Sequence, residues 1–578
     1  MTDPRKLRWW LIIAILACAG LYLVGNGQVP LWDRDEGWYA ECSREMWQTG
    51  DWVVPKFLGG LRAEKPVFVY WLQLGGYWLF GGPSEFSVRF YAAIAQTTVL
   101  CLLGWGLWKM AGPLRGVWSA VIYGTCVMAI ISAKMCLTDA TLMVCLVSAQ
   151  FILMYFYLYG FRWWGVFLMG IALGFGGLTK GPVALIPTIF TLIAMGAIEY
   201  DRWLPWLRQS PAELWASVGR WALVSLITLV IIAAVCAPWL IVLEIREPRW
   251  LPATLDMASQ HVRTSLEGHK GPFGYYLALM WGTFFPWSLL IPTAVYVAWK
   301  QRHVPQTRFA IAATLGPWIF FEVMKTKLPH YVLPTYPFLA FLCADALVRC
   351  ARLQYKNLVW KSSVIAVGIW ALLIGPLASA PWIAAYAPLR LGALPYTRMA
   401  VVSVLGFVFT MGVWWYFRQR RFYIAFGWMA GAFMVLIAAT YAWMLPEFRF
   451  MRYGEELAKV LAKYDGLADK ASVGDVVSVV YPITPKIAYG FREPSAHYYQ
   501  GGTLRVVEEN SFLEKTPPEQ WPKLMIISDT LWNVLPGSTK GQLENLGTVR
   551  AWLYSDERRV GDLMVMRRKV GPVTSPAQ

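Results

Sequence analysis

The feature that most constrains this chain is the recurrence of apolar runs long enough to cross a bilayer. A span needs about 20 mostly apolar residues. Such runs occur near 7–26, 87–110, 116–133, 138–159, 163–179, 182–198, 220–243, 274–299, 309–324, 331–348, 358–378, 399–417 and 422–444. Composition agrees: 57% of the 578 residues are hydrophobic and 15% charged, where a soluble protein carries about a quarter charged residues. The 33 Trp and 28 Tyr suit aromatic belts at two membrane interfaces. The expected fold is an all-α polytopic membrane protein with about thirteen transmembrane helices. Residues 66–80, PVFVYWLQLGGYWLF, are apolar but short and glycine-broken, and read as an interfacial helix.

The net charge of +17 is explained by short basic loops between spans, as the positive-inside rule requires. No nucleic-acid module is present, so no nucleic-acid partner is expected; membrane lipids are. The basic connections are KMAGPLR (109–115), FRWW (161–164), KQRHVPQTR (300–308), RCARLQYKNLVWK (349–361) and FRQRR (417–421). Placing them inside puts the N-terminus in the cytoplasm and the end of the chain outside. Arg5-Lys6-Leu7-Arg8 and Ala17-Cys18-Ala19 have signal-peptide features, but the apolar run continues to Val24, which favours an uncleaved first helix. The nine cysteines show no C-x-x-C and no zinc spacing, and read mostly as small packing residues.

After Leu445 the composition changes. Residues 446–578 alternate strand-like runs (VVSVVYP, TLRVVEE, KLMIISD, VRAWLYS, LMVMRR) with helical patterns such as EELAKVLAKY. This reads as a small extracytoplasmic α/β domain following a membrane domain over 1–445. Its tail, VGPVTSPAQ, is expected to be disordered. Neither G-x-x-x-x-G-K nor G-x-G-x-x-G occurs in 446–578, so no nucleotide cofactor is expected.

Polarity collects on one face. LWDRDEGWYAE (31–41) opens a first outer loop over 27–86, in which Ala40 to Trp47 reads as a short amphipathic helix. The other outer connections, KMCLTDATL, LTKGPV, ASQHVRTSLEGHKGPFGYY and KTKLPHYVLPTYP, bring Lys, His or Asp to the same level. Within the spans almost no acid is expected, Asp345 being the exception. A coupled transporter would set ionisable groups at mid-membrane depth; polarity at one face suits chemistry at the membrane surface. Group transfer from a lipid-linked phosphate fits. The leaving phosphate needs cations or hydrogen-bond donors, from Lys65, Lys180, Lys327, His330, Tyr331 or His269. The acceptor needs a base or orienting carboxylate, from Asp35 or Asp139. Several of these and their neighbours also have a bland role: Glu64 and Lys65 as a surface pair, Lys180 and Lys325 as snorkelling anchors, His330 and Asp139 as helix caps, and Tyr331 in an interfacial hydrogen bond.

At these residues the chain resembles the dolichyl-phosphate-mannose-protein mannosyltransferase-like superfamily of GT-C fold enzymes, and within it the 4-amino-4-deoxy-L-arabinose (lipid A) transferase branch. The resemblance rests on D-E-x-x-Y-A-E (Asp35 to Glu41), R-E-M…G-D-W (Arg44 to Trp52) and E-K-P (Glu64 to Pro66). It continues through T-D-A (Thr138 to Ala140), T-K-G-P (Thr179 to Pro182), G-H-x-x-P-F-x-Y-Y (Gly268 to Tyr276) and K-L-P-H-Y-x-L-P-x-Y-P (Lys327 to Pro337). These fit in order over about 1–445. The resemblance implies an inner-membrane glycosyltransferase. It would move a sugar, with inversion, from a polyprenyl-phosphate donor to an extracytoplasmic lipid A or other envelope glycan. Asp35 matches the catalytic carboxylate, Asp139 a second acid, and Lys65 a lysine on the donor phosphate. Glu36, Tyr39 and Arg62 are assigned to the substrate pocket. Glu64 with His269 could bind one divalent metal. Gly37 and Trp38 fill variable positions of the first motif. The rival readings are a protein O-mannosyltransferase-like enzyme, a transporter or flippase of lipid-linked sugars, and a scaffold whose outer domain binds a partner.

Overall fold

The computed structural model describes residues 3–33, 35–200, 211–263, 271–351, 395–419, 421–448, 451–464, 476–484, 487–490, 493–502, 504–508, 512–553 and 559–569. Among them, 8 helices are long and apolar enough to cross a membrane, or up to 10 if each of two bent pairs is one span. The expected run 358–378 and the C-terminal tail beyond 569 lie outside the described residues.

The first span, α1 (Pro4–Leu23), begins where Asp3 accepts a 2.9 Å hydrogen bond from the backbone N–H of Arg5. It buries Leu7, Leu11, Ile15 and Cys18 and turns Trp9, Trp10, Ile13 and Leu16 outward. That outward apolar face is what lipid contact requires. α2 (Asp35–Thr49), α3 (Phe68–Phe80) and the hairpin β1 (Lys56–Phe57) and β2 (Gly60–Leu61) precede the second span, α4 (Glu85–Ala111). The helix expected over Ala40 to Trp47 thus begins five residues earlier, at Asp35. α4 opens with a capping box between Ser84 and Ser87. The expected span 116–133 is bent by 64° between α5 (Pro113–Gly124) and α6 (Val127–Lys134).

The next helices settle a question of count. α7 (Thr138–Tyr159) is followed by α8 (Trp163–Lys180) and α9 (Ile186–Ile198), which are helical almost without interruption. Lys180 pairs with Asp139, at the start of α7, whereas Glu199 accepts a hydrogen bond from Tyr157, near its end. One straight rod cannot return to the far end of α7. The chain therefore reverses at Gly181, whose φ of +67° favours glycine, and crosses twice, as the runs 163–179 and 182–198 imply.

The expected span 274–299 needs correction. It bends by 117° between the helix Tyr275–Thr283 and the segment Trp287–Lys300. The apolar content is continuous there, but the backbone turns back on itself. Spans also form over Val218–Arg246, Pro329–Ala351, Tyr396–Arg418 and Phe422–Glu447.

Beyond these helices, strands β3 (Val476–Thr484), β4 (Ile487–Gly490), β5 (Leu504–Glu508), β6 (Leu524–Ser528), β7 (Leu543–Leu553) and β8 (Arg559–Arg568) form one sheet. β3 is parallel to β5 and β6, and β6, β8 and β7 pair antiparallel in that order. β6 is buried along its whole length, which explains its unbroken run LMIIS. The helix Tyr453–Ala462 covers one face through Leu457 and Leu461.

Two ends of the helix bundle are now distinguishable. One carries Asp139 and Lys180 and is called the site face below. The opposite end carries Arg115 and Arg349 on Asp345, at 2.5 and 2.8 Å, and Arg308 on Glu199, at 2.9 Å. A cavity of about 170 Å³ lies there against Arg115, Asp345 and Arg349, and none of its lining residues belongs to the candidate site.

Candidate functional site

The site is built at helix ends. Asp139 lies in the first turn of α7, where the helix dipole favours a carboxylate. The N-cap position is Leu137, with no side-chain cap bond, so Asp139 is not the cap. Its carboxylate receives the Lys180 ammonium at 2.8 Å and faces the His330 Nε2 at 3.7 Å. The Lys180 ammonium stands 5.4 Å from the Tyr331 ring centroid, and the Tyr331 ring meets the His330 ring edge-on. Lys180 is thus drawn inward to Asp139 instead of outward to the interface. His330 and Tyr331 reach this point because a 3-10 turn, Pro329–Thr335, opens the span that carries them.

Lys65 approaches from the first loop. Its backbone is fixed through the residues before it. Trp250 donates its indole N–H to the Arg62 carbonyl at 3.2 Å, and Thr254 its hydroxyl to the Ala63 carbonyl at 2.7 Å. The Lys65 ammonium makes no hydrogen bond or ion pair among the described residues, yet it lies in the field of Lys180, Arg62, Glu64 and Asp139. Burial, then repulsion from Lys180 and Arg62, pulls its pKa down from 10.5 to about 8. Burial and the neighbouring cations thus disfavour the charged form of Lys65.

Arg62 sits under two aromatic rings, 5.0 Å from the Trp38 centroid and 5.3 Å from that of Tyr39. It donates to the Tyr70 hydroxyl at 3.1 Å and pairs with Glu64 at 3.1 Å. Tyr39 and Tyr70 are buried, with ring centroids 5.9 Å apart. Asp35, exposed at the start of α2, acts electrostatically on Tyr39, Lys180 and Tyr331. Asp35, Lys65, Asp139, Lys180, His330, Tyr331, Tyr39 and Arg62 therefore form one neighbourhood.

Other expected residues do not join it. Glu36, assigned to the substrate pocket, is fully buried against Arg89 of α4, with bonds of 2.9 and 2.6 Å. Its oxygens also accept the backbone N–H groups of Trp32 and Cys136, at 2.9 and 2.8 Å. The reason is helical geometry: Asp35 and Glu36 are adjacent, so their side chains diverge by about 100° around α2. Lys327 is 5% exposed and committed to Glu322, donating to its carbonyl and lying 3.3 Å from its carboxylate. Glu322 itself, inside the run 309–324, corrects the expectation that Asp345 is the lone acid of the spans. It also accepts the Gly274 N–H at 2.8 Å, ordering the chain after the G-H-x-x-P-F motif.

Of the two expected metal ligands, only Glu64 falls among the described residues. Glu64 is exposed and paired with Arg62, and His269 lies outside the described residues. Among the described residues no group of three or more His, Cys, Asp or Glu could hold a metal. Arg89 and Glu322 were invisible as partners in the sequence; a charged residue beside an apolar run is the only signal either leaves.

The family model for dolichyl-phosphate-mannose-protein mannosyltransferase matches residues 9–249. The undecaprenyl phosphate-alpha-4-amino-4-deoxy-L-arabinose arabinosyl transferase of Aeromonas salmonicida is 30% identical, over 82% of this chain and 86% of its own length. The protein of that name from Aeromonas hydrophila subsp. hydrophila is 32% identical, over 67% of this chain and 70% of its own. Among solved structures, ArnT from Cupriavidus metallidurans bound to undecaprenyl phosphate superposes with a TM-score of 0.70 at 19% identity, covering 98% of this chain and 99% of that one. The fold is shared over nearly the full length. On this extent of identity and coverage, the chain belongs to the undecaprenyl phosphate-alpha-4-amino-4-deoxy-L-arabinose arabinosyl transferase family of membrane glycosyltransferases.

Proposed function

We propose that this chain transfers 4-amino-4-deoxy-L-arabinose, or a closely similar sugar, from an undecaprenyl-phosphate donor to lipid A or another envelope glycan, with inversion. The Lys65 ammonium carries this reading. It is a partly buried cation with no direct partner among the described residues, beside Lys180 and Arg62, and a lipid phosphate would complete it. The acceptor oxygen attacks the anomeric carbon as the bond from that carbon to the phosphate oxygen breaks. The electron pair leaves with the lipid phosphate, whose added negative charge is held by Lys65 and Lys180 and by hydrogen bonds from His330 and Tyr331. Asp35 orients the acceptor and takes its proton; Asp139 fixes Lys180 and His330 in place. Arg62, Trp38, Tyr39 and Tyr70 wall the sugar.

The basic connections around Arg115 and Arg308 lie at the end opposite the site. By the positive-inside rule the inner (plasma) membrane orientation that follows puts the site and the C-terminal sheet on the periplasmic side. A divalent metal at Glu64 and His269 is a separate proposal, for which Glu64 would have to leave its ion pair with Arg62; no step above uses it.

The test is transfer by membranes containing Asp35→Asn or Lys65→Ala at wild-type abundance, read as loss of the sugar from the labelled lipid donor. Removal of one charge-stabilising group is expected to lower transfer by about 10²–10³-fold. Wild-type transfer by both variants would refute the assignment.

A further inference from the structure

Asp33 was not singled out by the sequence, although it stands two residues before Asp35. Its carboxylate accepts the backbone N–H of Ser495 at 2.8 Å, the Ser495 hydroxyl and the Tyr453 hydroxyl. The two hydroxyls also bond each other at 3.1 Å. All three donors come from the chain beyond the last span, more than 400 residues away.

The contact extends along the loop. The Leu31 N–H donates to the Tyr499 hydroxyl at 3.0 Å, and Arg452 donates to the Gln28 carbonyl at 3.1 Å. On the other side of Asp35, Gly37 lies against the backbone of Pro494 and Ser495. A Cβ there would stand 2.6 Å from the Ser495 nitrogen and 2.9 Å from the Pro494 carbonyl carbon, so no larger residue fits without displacement. This gives Gly37 a reason the motif alone does not supply.

The next residue, Glu36, is fastened in the opposite sense, to Arg89 of α4 and the Cys136 N–H before α7. Asp35 thus sits between two anchors. Asp33 ties the turn to the C-terminal segment, and Glu36 ties it to the membrane bundle. Only Arg34 and Asp35 lie between them.

We propose that Asp33 is a positioning residue for the transfer reaction, through which Tyr453 and Ser495 of the C-terminal segment hold the Asp35 carboxylate at the sugar-transfer site. The inference rests on the reading of Asp35 above. It gives the C-terminal segment a part in catalysis that requires no contact with donor or acceptor. Misplacement of a reacting group by about 1 Å costs on the order of 100-fold in rate, so release of the turn is read in kcat.

The experiment uses the full chain, purified in detergent, with steady-state transfer and a thermal melt on every variant. Asp33→Ala is expected to lower kcat by about 10- to 100-fold, with donor KM within about twofold of wild type because the Lys65 region is untouched. Asp33→Asn is expected to recover part of the loss, since the amide oxygen can still accept the Ser495 N–H. Tyr453→Phe removes one donor and should lower kcat several-fold alone, with no further loss when combined with Asp33→Ala. That variant keeps the test decisive if Asp33→Ala does not fold. Unchanged kcat in folded Asp33→Ala or Tyr453→Phe would overturn the proposal. So would losses that track the folded fraction alone. Asp35→Asn is run beside them. If it retains transfer, the catalytic reading fails; if it is dead while the Asp33 and Tyr453 variants turn over normally, only the positioning role fails.

Discussion

Glu36→Gln offers the sharpest test of how this site is built, because it separates a structural carboxylate from Asp35 beside it, the one proposed to react. Arg89 has five N–H donors, and the structure uses every one. Nε and one Nη2 hydrogen go to Glu36, at 2.9 and 2.6 Å; Nη1 serves the Asn26 and Val29 carbonyls, at 2.8 and 2.6 Å; the remaining Nη2 hydrogen goes to Pro30, at 2.8 Å. Both side chains are 0% exposed. Glutamine removes the only countercharge in contact among the described residues and presents an NH2 group where the carboxylate accepted from four donors. Breaking a buried pair from one side costs about 3–5 kcal/mol, because the other charge is left in low dielectric. In a thermal melt of detergent-solubilised protein this should lower Tm by roughly 3–4 °C, at an unfolding entropy of about 2.1 cal/mol/K per residue. Replacing both residues, Glu36→Gln with Arg89→Met, should restore part of the loss, since no lone charge remains. Donor KM in the folded fraction should be unchanged by either variant. A shift under about 1 °C, or a several-fold change in KM without loss of stability, would refute the structural assignment and return Glu36 to the pocket.

Two further outcomes are expected. Lys65 has its pKa lowered to about 8, so it is charged below that pH and neutral above it. Phosphate capture is then present at pH 7 and lost as pH rises, with kcat/KM for the donor falling about tenfold by pH 9. Lys65→Arg stays charged throughout and should lose this alkaline limb, and identical profiles would count against Lys65 as the donor cation. Gly181→Ala should destabilise the fold by about 1–3 kcal/mol through backbone strain alone, because φ is +67° and nothing lies within 4 Å of the added carbon. An unchanged melt would show that the turn between α8 and α9 relaxes freely.

Much of this architecture is written locally. Apolar length marks most spans, and Lys, His and Asp at span ends mark the face where Asp139, Lys180 and His330 converge. What the sequence conceals is partner choice across long separations. Asp33, Asp35 and Glu36 are three carboxylates in four positions, and nothing local distinguishes them. One is held by the C-terminal segment, one is exposed at the site and one is buried on Arg89. Lys327 reads as a phosphate ligand until Glu322 is seen five residues earlier, on the other side of a turn. The bend near residue 285 is hidden for another reason: hydropathy reports burial in lipid, not direction. The sheet strands were visible except β4, whose four residues are too few to show alternation.

The separation of Lys65, Asp139, Lys180 and His330 along the chain has a consequence for biogenesis. During insertion the first loop is complete long before His330 emerges, and Asp33 waits longer still for Tyr453 and Ser495. A nascent or truncated chain therefore holds isolated charges but no assembled centre. Under the positioning role proposed for Asp33, a chain whose last segment has not yet closed on the first would consume the lipid carrier more slowly than the finished protein.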